Sequence, residues 1–298
     1  MHEFGIRYLE CIKCHGRLEA VSLREKSEIE EGFLSCTKCS ASFPIIGAIA
    51  ILQDFTRYLS FRPRLGGVLI ATAKSPQMKL FVKKALARTK RNLNDVSIIE
   101  KRWAAIYEAN KRSSFYSKIK AAIDDLHPSG IAVEHGCSIG TVSHHMAKKG
   151  LDVFGIDKSY HALSLAKKSC PDNLDFFVAD SLDNPFGRRR FDIVVGLNIF
   201  ELIEPRPLLD MLANQVQKGG YLVLSDPYDF ERGARSVREP LREDAVRVIL
   251  EKRGLDIAKK TEKPSFLSWS LRLYDRAVLQ YRVDLIIGKK RLSRKNQL

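Results

Sequence analysis

Apolar positions along this chain change their period several times, and each change marks an element. Ile131 to Val133 and Val153 to Ile156 are short apolar runs, separated by a turn of small residues and a segment with helical spacing at Val142 and Met146. That order predicts a strand, a glycine turn, a helix and a second parallel strand, about half of a nucleotide-binding βαβ unit. The alternation then continues. Tyr160 to Cys170 has helical spacing, Leu174 to Val178 is a strand, and Phe191 to Leu197 is almost wholly apolar, as suits a central parallel strand. Pro205 to Val216 reads as a helix, Gly219-Gly220 as a turn, Tyr221 to Leu224 as a strand, Leu241 to Lys252 as a helix and Val283 to Ile287 as a late strand. The pattern predicts an α/β fold built on a doubly wound, seven-stranded sheet.

Upstream the pattern is helical. Residues 77–91, 97–111 and 114–126 carry apolar positions at helical spacing, and His127-Pro128-Ser129-Gly130 stops the last of them. Phe61 to Thr72, with Pro63 and a Gly66-Gly67 pair, reads as a linker. We expect a small domain over 1–54, a helical connector over 55–112 and the α/β domain over 113–298. At 298 residues, 45% of them hydrophobic, the chain can bury a core of that size. No apolar run approaches 18 residues, the longest being Ile45 to Leu52, and the first residues hold no apolar signal core. A soluble, cytoplasmic protein with no membrane partner is expected.

Cysteine spacing adds a metal. Cys11-x-x-Cys14 and Cys36-x-x-Cys39 stand 21 residues apart, and two such knuckles deliver the four thiolates of a tetrahedral zinc site. Paired disulfides are disfavoured in a reducing compartment. Four cysteines close the shell without His15 and leave no position for a substrate, so the zinc is expected to be structural. The remaining cysteines, Cys137 and Cys170, have no base at readable spacing and are expected in the core; neither His144 nor His145 earns a catalytic role.

Charge is distributed unevenly. The chain carries a net +15, and residues 51–130 hold 16 basic against 6 acidic side chains. A basic helical connector suits phosphate backbones, and the tail KKRLSRK, Lys289 to Lys295, adds to it. The alternative is a set of solvated helix faces, since no aromatics are interleaved as a stacking platform would need. RNA or a protein substrate are the partners this surface allows.

The turn after Val133 carries the chemistry. Glu134-x-Gly136-x-Ser138-x-Gly140 is followed by Asp157 at the next strand end. Gly136 and Gly140 suit places where a side chain would block a ligand or force an unfavourable φ. A carboxylate at the position of Asp157 can accept both hydroxyls of a ribose. The loop lacks the G-x-G-x-x-G that cradles a pyrophosphate, which argues against NAD. It resembles the first motif of class I S-adenosylmethionine (SAM) methyltransferases, which usually have a glycine where Ser138 stands. That resemblance spans roughly residues 113–288. It implies SAM as cofactor, with Asp157 on the ribose, Asp180 near the adenine amino group, and Glu134, Gly136, Ser138 and Gly140 at the methionine end.

Two further resemblances bear on partners and acceptor. Residues 7–54, above all Phe43-Pro44-Ile45, Gly47 and Ile49, are similar to the small zinc-binding domain that activates several RNA and protein methyltransferases as a separate subunit. They are also similar to the zinc ribbon of a ribosomal-RNA guanine methyltransferase. Asn198, Glu201 and Pro205 after one strand, with Ser225-Asp226-Pro227-Tyr228-Asp229 after the next, resemble methyltransferases that act on imidazole nitrogens. The segment Pro264 to Trp269, with Arg272 and Gln280-Tyr281-Arg282, resembles the closing region of the same group. It implies Asn198, Asp226 and Tyr228 as catalytic residues, with Asn198 also beside the cofactor and Glu201 and Trp269 shaping the acceptor pocket. Asp226-Pro227-Tyr228 is not the motif of base amino-methyltransferases, which sits one strand earlier and has two prolines. Two acceptors therefore stand, an RNA base or a histidine imidazole, beside a degenerate fold serving only as a binding module, a reading prompted by Ser138.

Overall fold

The computed structural model describes residues 1–89, 94–231 and 237–292. Residues 90–93, which include Arg91 at the end of the helix expected over 77–91, and the end of the basic tail from residue 293 onward lie outside the described residues. The chain divides into two compact units. Met1–Glu108, Ser138–Gly140 and Phe154–Gly187 form the first; Ala109–Cys137, Thr141–Val153 and Arg188–Leu298 form the second.

The first unit begins with a helical turn, α1 (Glu3–Ile6), and an antiparallel meander of β1 (Leu18–Glu25), β2 (Ile29–Cys36), β3 (Ser42–Ile46) and β4 (Ile49–Ile51). Gly47 and Ala48 join β3 to β4 with φ of +60° and +62°, and Ile46 pairs with Ile49 across them. Two left-handed residues in a two-residue loop give the turn whose twist matches its strands. Four connector helices follow: α2 (Phe55–Ser60), α3 (Pro63–Thr72), α4 (Pro76–Arg88) and α5 (Val96–Asn110). The segment 61–72, expected as a linker, is therefore helical over Pro63–Thr72. Pro63 sits in the first turn, where its fixed φ favours a helix. Gly66 is a packing glycine; a Cβ there would lie 2.5 Å from Leu86 of α4.

Next come α6 (Ser114–Asp124), β5 (Ile131–His135), α7 (Thr141–Lys148), β6 (Asp152–Asp157), α8 (Tyr160–Ala166) and β7 (Leu174–Val178). The chain closes with β8 (Phe191–Leu197), α9 (Pro205–Gln215), β9 (Val216–Asp226), α10 (Glu243–Lys252), β10 (Leu255–Ile257), β11 (Leu267–Tyr274) and β12 (Ala277–Lys290). Gly219 and Gly220, expected as a turn, lie within β9. The register jumps there, from Phe191 opposite Val216 to Ile193 opposite Tyr221. Backbone fills the space, since a Cβ on Gly220 would meet the Asp192 carbonyl at 2.7 Å.

In the first unit the strand order is β1-β2-β3-β4-β7-β6; in the second it is β5-β8-β9-β12-β10, with β11 on β12. A sheet of seven strands with a separate ribbon is thus not what forms. β4 lies parallel to β7, with Ala50 opposite Phe177 and Ile51 opposite Val178, and Leu52 N donates to the Val178 carbonyl at 2.8 Å. The apolar run Ile45 to Leu52 is buried by this pairing, so the ribbon continues the sheet and the described residues hold twelve strands. Among the described residues no helix is long and apolar enough to cross a membrane.

A buried charge cluster fastens the ribbon to β7. Lys167 Nζ lies 3.1 Å from Asp175 and 2.6 Å from Glu28, and His2 N donates to Asp175 at 2.9 Å. Burial pushes the Asp175 carboxyl upward, while the acids around Lys167 hold its ammonium above the usual lysine range against burial. Removing one partner leaves a buried charge poorly compensated. Asp175→Ala is expected to cost about 3 kcal/mol in urea unfolding, and a loss under about 1 kcal/mol would mean that water solvates the cluster.

Candidate functional site

The first site is the cysteine cluster. Sγ of Cys11 and Cys39 are 3.6 Å apart and those of Cys14 and Cys36 3.4 Å, and all four lie within 4.8 Å of one another. Zinc–sulfur bonds of about 2.3 Å place tetrahedral sulfurs about 3.8 Å apart, so the donors fit that ion. Backbone N–H groups of Lys13 and Lys38 point at the sulfurs of Cys11 and Cys36, each at 3.4 Å. These donors favour thiolate. Gly16 makes the room, because a Cβ would stand 2.9 Å from Cys36 Sγ and 3.3 Å from Cys14 Sγ.

The residues expected at the cofactor and the acceptor fall in both units. In the first unit, β6 ends at Asp157. Its Oδ2 accepts from Ser138 N at 2.9 Å and its Oδ1 from Ser159 N at 2.7 Å. Burial pushes this carboxyl upward against those donors. Ser138 has φ +49°, the left-handed backbone that the expected glycine would adopt freely. Gly140, at φ +70°, leaves space that Phe176 uses, since its Cβ would meet Phe176 Cζ at 2.6 Å. Asp180 follows β7; it accepts from Leu182 N at 3.0 Å and pairs with Lys158 at 2.7 Å.

The connector supplies residues here that the sequence reading missed. Tyr58 of α2 donates to the Lys158 carbonyl at 2.8 Å and accepts from Tyr160 N at 3.3 Å, which clamps the chain just after Asp157. Arg62 lies 4.2 Å over the Tyr58 ring and pairs with Glu100 of α5. Burial pushes the Glu100 carboxyl up, and the nearby Asp157 charge adds to that. Ile139 of the loop packs with Ala104 of α5 and Ala162 of α8. Only the four-residue spacing of Tyr58 and Arg62 hinted at any of this.

In the second unit, Glu134 is buried and its Oε2 accepts from both Ser143 N (2.7 Å) and Ser143 Oγ (2.5 Å) at the start of α7. Gly136 has φ +64°, and a Cβ there would meet Ile199 Cγ2 at 2.5 Å. Asn198 follows β8 with φ +56°; its N donates to the Ser225 carbonyl at 2.6 Å and its Oδ1 accepts from Ser225 Oγ at 3.0 Å. Asp226 is 2% exposed and accepts from Phe200 N (3.0 Å) and Tyr228 N (2.8 Å), tying the loop after β8 to that after β9. Burial, with a smaller push from Glu201, raises its carboxyl to about 7. Tyr228, at φ +54°, donates to Asp284 at 3.3 Å, and Asp284 forms a two-pronged pair with Arg247 at 2.8 and 3.1 Å. Trp269 is buried between Phe115 (5.2 Å) and Tyr281 (5.6 Å). Ser138, Asn198 and Tyr228 are thus three non-glycine residues held left-handed, each at a strand-end loop, and such costs persist where surrounding structure enforces them.

Residues 133–224 match the methyltransferase domain family model. That matched stretch takes in every position expected above at the cofactor, from Glu134 to Asn198. Among curated proteins, the demethylmenaquinone methyltransferases of Paenarthrobacter aurescens and Renibacterium salmoninarum are 32% and 30% identical over 88 and 100 residues. Those alignments cover 29% and 33% of this chain, which spans 34% and 42% of the relatives' lengths. Two solved structures are similar in fold, each with a TM-score of 0.51. One is a complex of the Haloferax volcanii Trm112 methyltransferase activator with a methyltransferase, at 18% identity over 66% of this chain and 98% of the other. The second is Haemonchus contortus phosphoethanolamine N-methyltransferase 2 with SAM, at 15% identity over 64% and 57%.

Proposed function

We propose that this protein is a cytoplasmic SAM-dependent methyltransferase that acts on a nitrogen acceptor, either an RNA base or a histidine imidazole. The observation that carries the reading is the domain match over residues 133–224, which takes in the glycine loop, Asp157, Asp180 and Asn198. Residues 1–54 would be a zinc ribbon, 55–112 a basic helical connector and 113–298 the catalytic domain. The zinc would be structural, holding the ribbon whose β4 extends the sheet.

Bound SAM supplies an electrophilic methyl group on sulfur. The chain's own part is to position and desolvate. Asp157 would accept the ribose hydroxyls, Asp180 would meet the adenine edge, and the loop from Glu134 to Gly140 would face the methionine end. Asn198 would orient the acceptor by hydrogen bonds, with Tyr228 and Glu201 around it. Asp226 would act through the loop backbones it holds. An acceptor nitrogen must reach the methyl carbon at about 3 Å with its lone pair free.

The alternative is a degenerate fold that binds RNA or protein without turnover. Ser138 prompted it, but Ser138 keeps the left-handed backbone of the expected glycine, which supports the catalytic reading. Calorimetric titration with SAM is expected to show one site per chain. No heat at any accessible SAM concentration would leave only the scaffold role.

A further inference from the structure

A cavity of about 240 Å³ opens in the first unit beside the first zinc knuckle. Two segments bring cations to it: Lys13 from the knuckle, and Lys84 and Arg88 from α4. Phe43, Phe55 and Phe81 also line it, and of these three rings Phe43 and Phe55 are buried while Phe81 is partly exposed. Phe81 stacks on Phe55 at 5.3 Å and meets the edge of Phe33 at 4.9 Å, which fixes its ring while leaving it partly exposed.

A solvated helix face would mix signs. Over Pro76–Arg88, α4 carries Lys79, Lys83, Lys84 and Arg88 and no acid. Among the described residues no carboxylate pairs with Lys83, Lys84 or Arg88. The cavity does hold one acid, Asp54, but it caps α2 through Arg57 N at 3.0 Å and lies 3.9 Å from Lys13. Cations of one sign beside a partly exposed ring in a concavity match a chain of phosphates and bases, with the charges meeting phosphate and the Phe81 ring meeting a base. A carboxylate-rich peptide would use the cations and leave the Phe81 ring idle.

We propose that this cavity holds a stretch of single-stranded RNA, its phosphates on Lys13, Lys84 and Arg88 and one base against Phe81. This rests on the RNA branch of the proposed function and assigns it a site remote from the methyl-transfer residues in sequence. The zinc ribbon then contributes directly to substrate binding, through Lys13.

The test uses the full, zinc-loaded chain and a labelled single-stranded RNA of about 16 nucleotides followed by fluorescence anisotropy across a salt series. Lys84→Glu with Arg88→Glu is expected to weaken binding at least about tenfold and to lower the slope of log affinity on log salt by about 1.4, at 0.7 per phosphate contact. Phe81→Leu is expected to weaken binding about fivefold or more and to leave that slope unchanged. The charge-matched control, Lys259→Glu with Lys260→Glu, should change little. An equal loss in the control would show diffuse attraction and overturn the site. Competition by polyglutamate as strong as by unlabelled RNA would point to an acidic protein partner and overturn it too. SAM titration run alongside separates the two readings: RNA binding lost with SAM affinity kept supports the cavity, whereas RNA binding kept by a chain that takes no SAM would sink only the catalytic reading.

Discussion

Cys14→Ser is expected to abolish zinc binding and to unfold the ribbon, the largest effect any single side chain here should have. The variant removes one of four thiolates that converge within 4.8 Å, and structural zinc contributes about 10–16 kcal/mol of apparent binding energy in small zinc domains at neutral pH. The consequence reaches beyond the ribbon. β4 is the strand that covers the outer edge of β7 through Ala50 and Ile51, so losing the meander bares an apolar edge strand and invites aggregation. Elemental analysis of freshly purified protein should give one zinc per chain, and none for the variant. Metal-free wild-type protein with a cooperative thermal transition would remove the zinc from the account.

Asp157→Ala is expected to weaken SAM binding about one hundredfold or more, because each charge-assisted hydrogen bond to a ribose hydroxyl is worth roughly 1.5–3 kcal/mol. The same carboxylate also accepts from Ser138 N and Ser159 N, so the substitution loosens the loop as well as removing the acceptor. Asp157→Asn separates these effects: it keeps one acceptor for the loop, and its affinity should fall between wild type and alanine. Calorimetry gives the dissociation constants, and a thermal midpoint near wild type shows that the fold survives. An unchanged constant would mean that the strand register assigned to the cofactor is wrong.

Much of the α/β core was legible because its signals are local. The apolar runs at 131–133 and 153–156, the glycines between them and the acid at Asp157 lie within 27 residues, and helix and strand periods differ plainly there. The cysteine cluster was legible for the same reason. What escaped the sequence depends on distant partners. Gly66 read as a breaker because nothing nearby shows that Leu86 packs on it. The parallel joining of β4 to β7 spans more than a hundred residues, so the sheet could not be counted from periods alone. The clamp of Tyr58 on the Lys158 backbone, and the pair of Arg62 with Glu100, were hidden in a segment whose charge suggested only a solvated or RNA-facing surface. The hydrogen bonds of Asp226 to two loop backbones are likewise a tertiary fact, which a motif comparison renders only as an acid near an acceptor.

The central claim is methyl transfer from SAM. Its most direct measurement incubates the full, zinc-loaded protein with methyl-tritiated SAM and a lysate separated into RNA, protein and small-molecule fractions, and counts label in each. The account predicts tritium in the RNA or the protein fraction, at a level that Asp157→Ala reduces to background. Label in neither, with SAM bound by the protein, would contradict it.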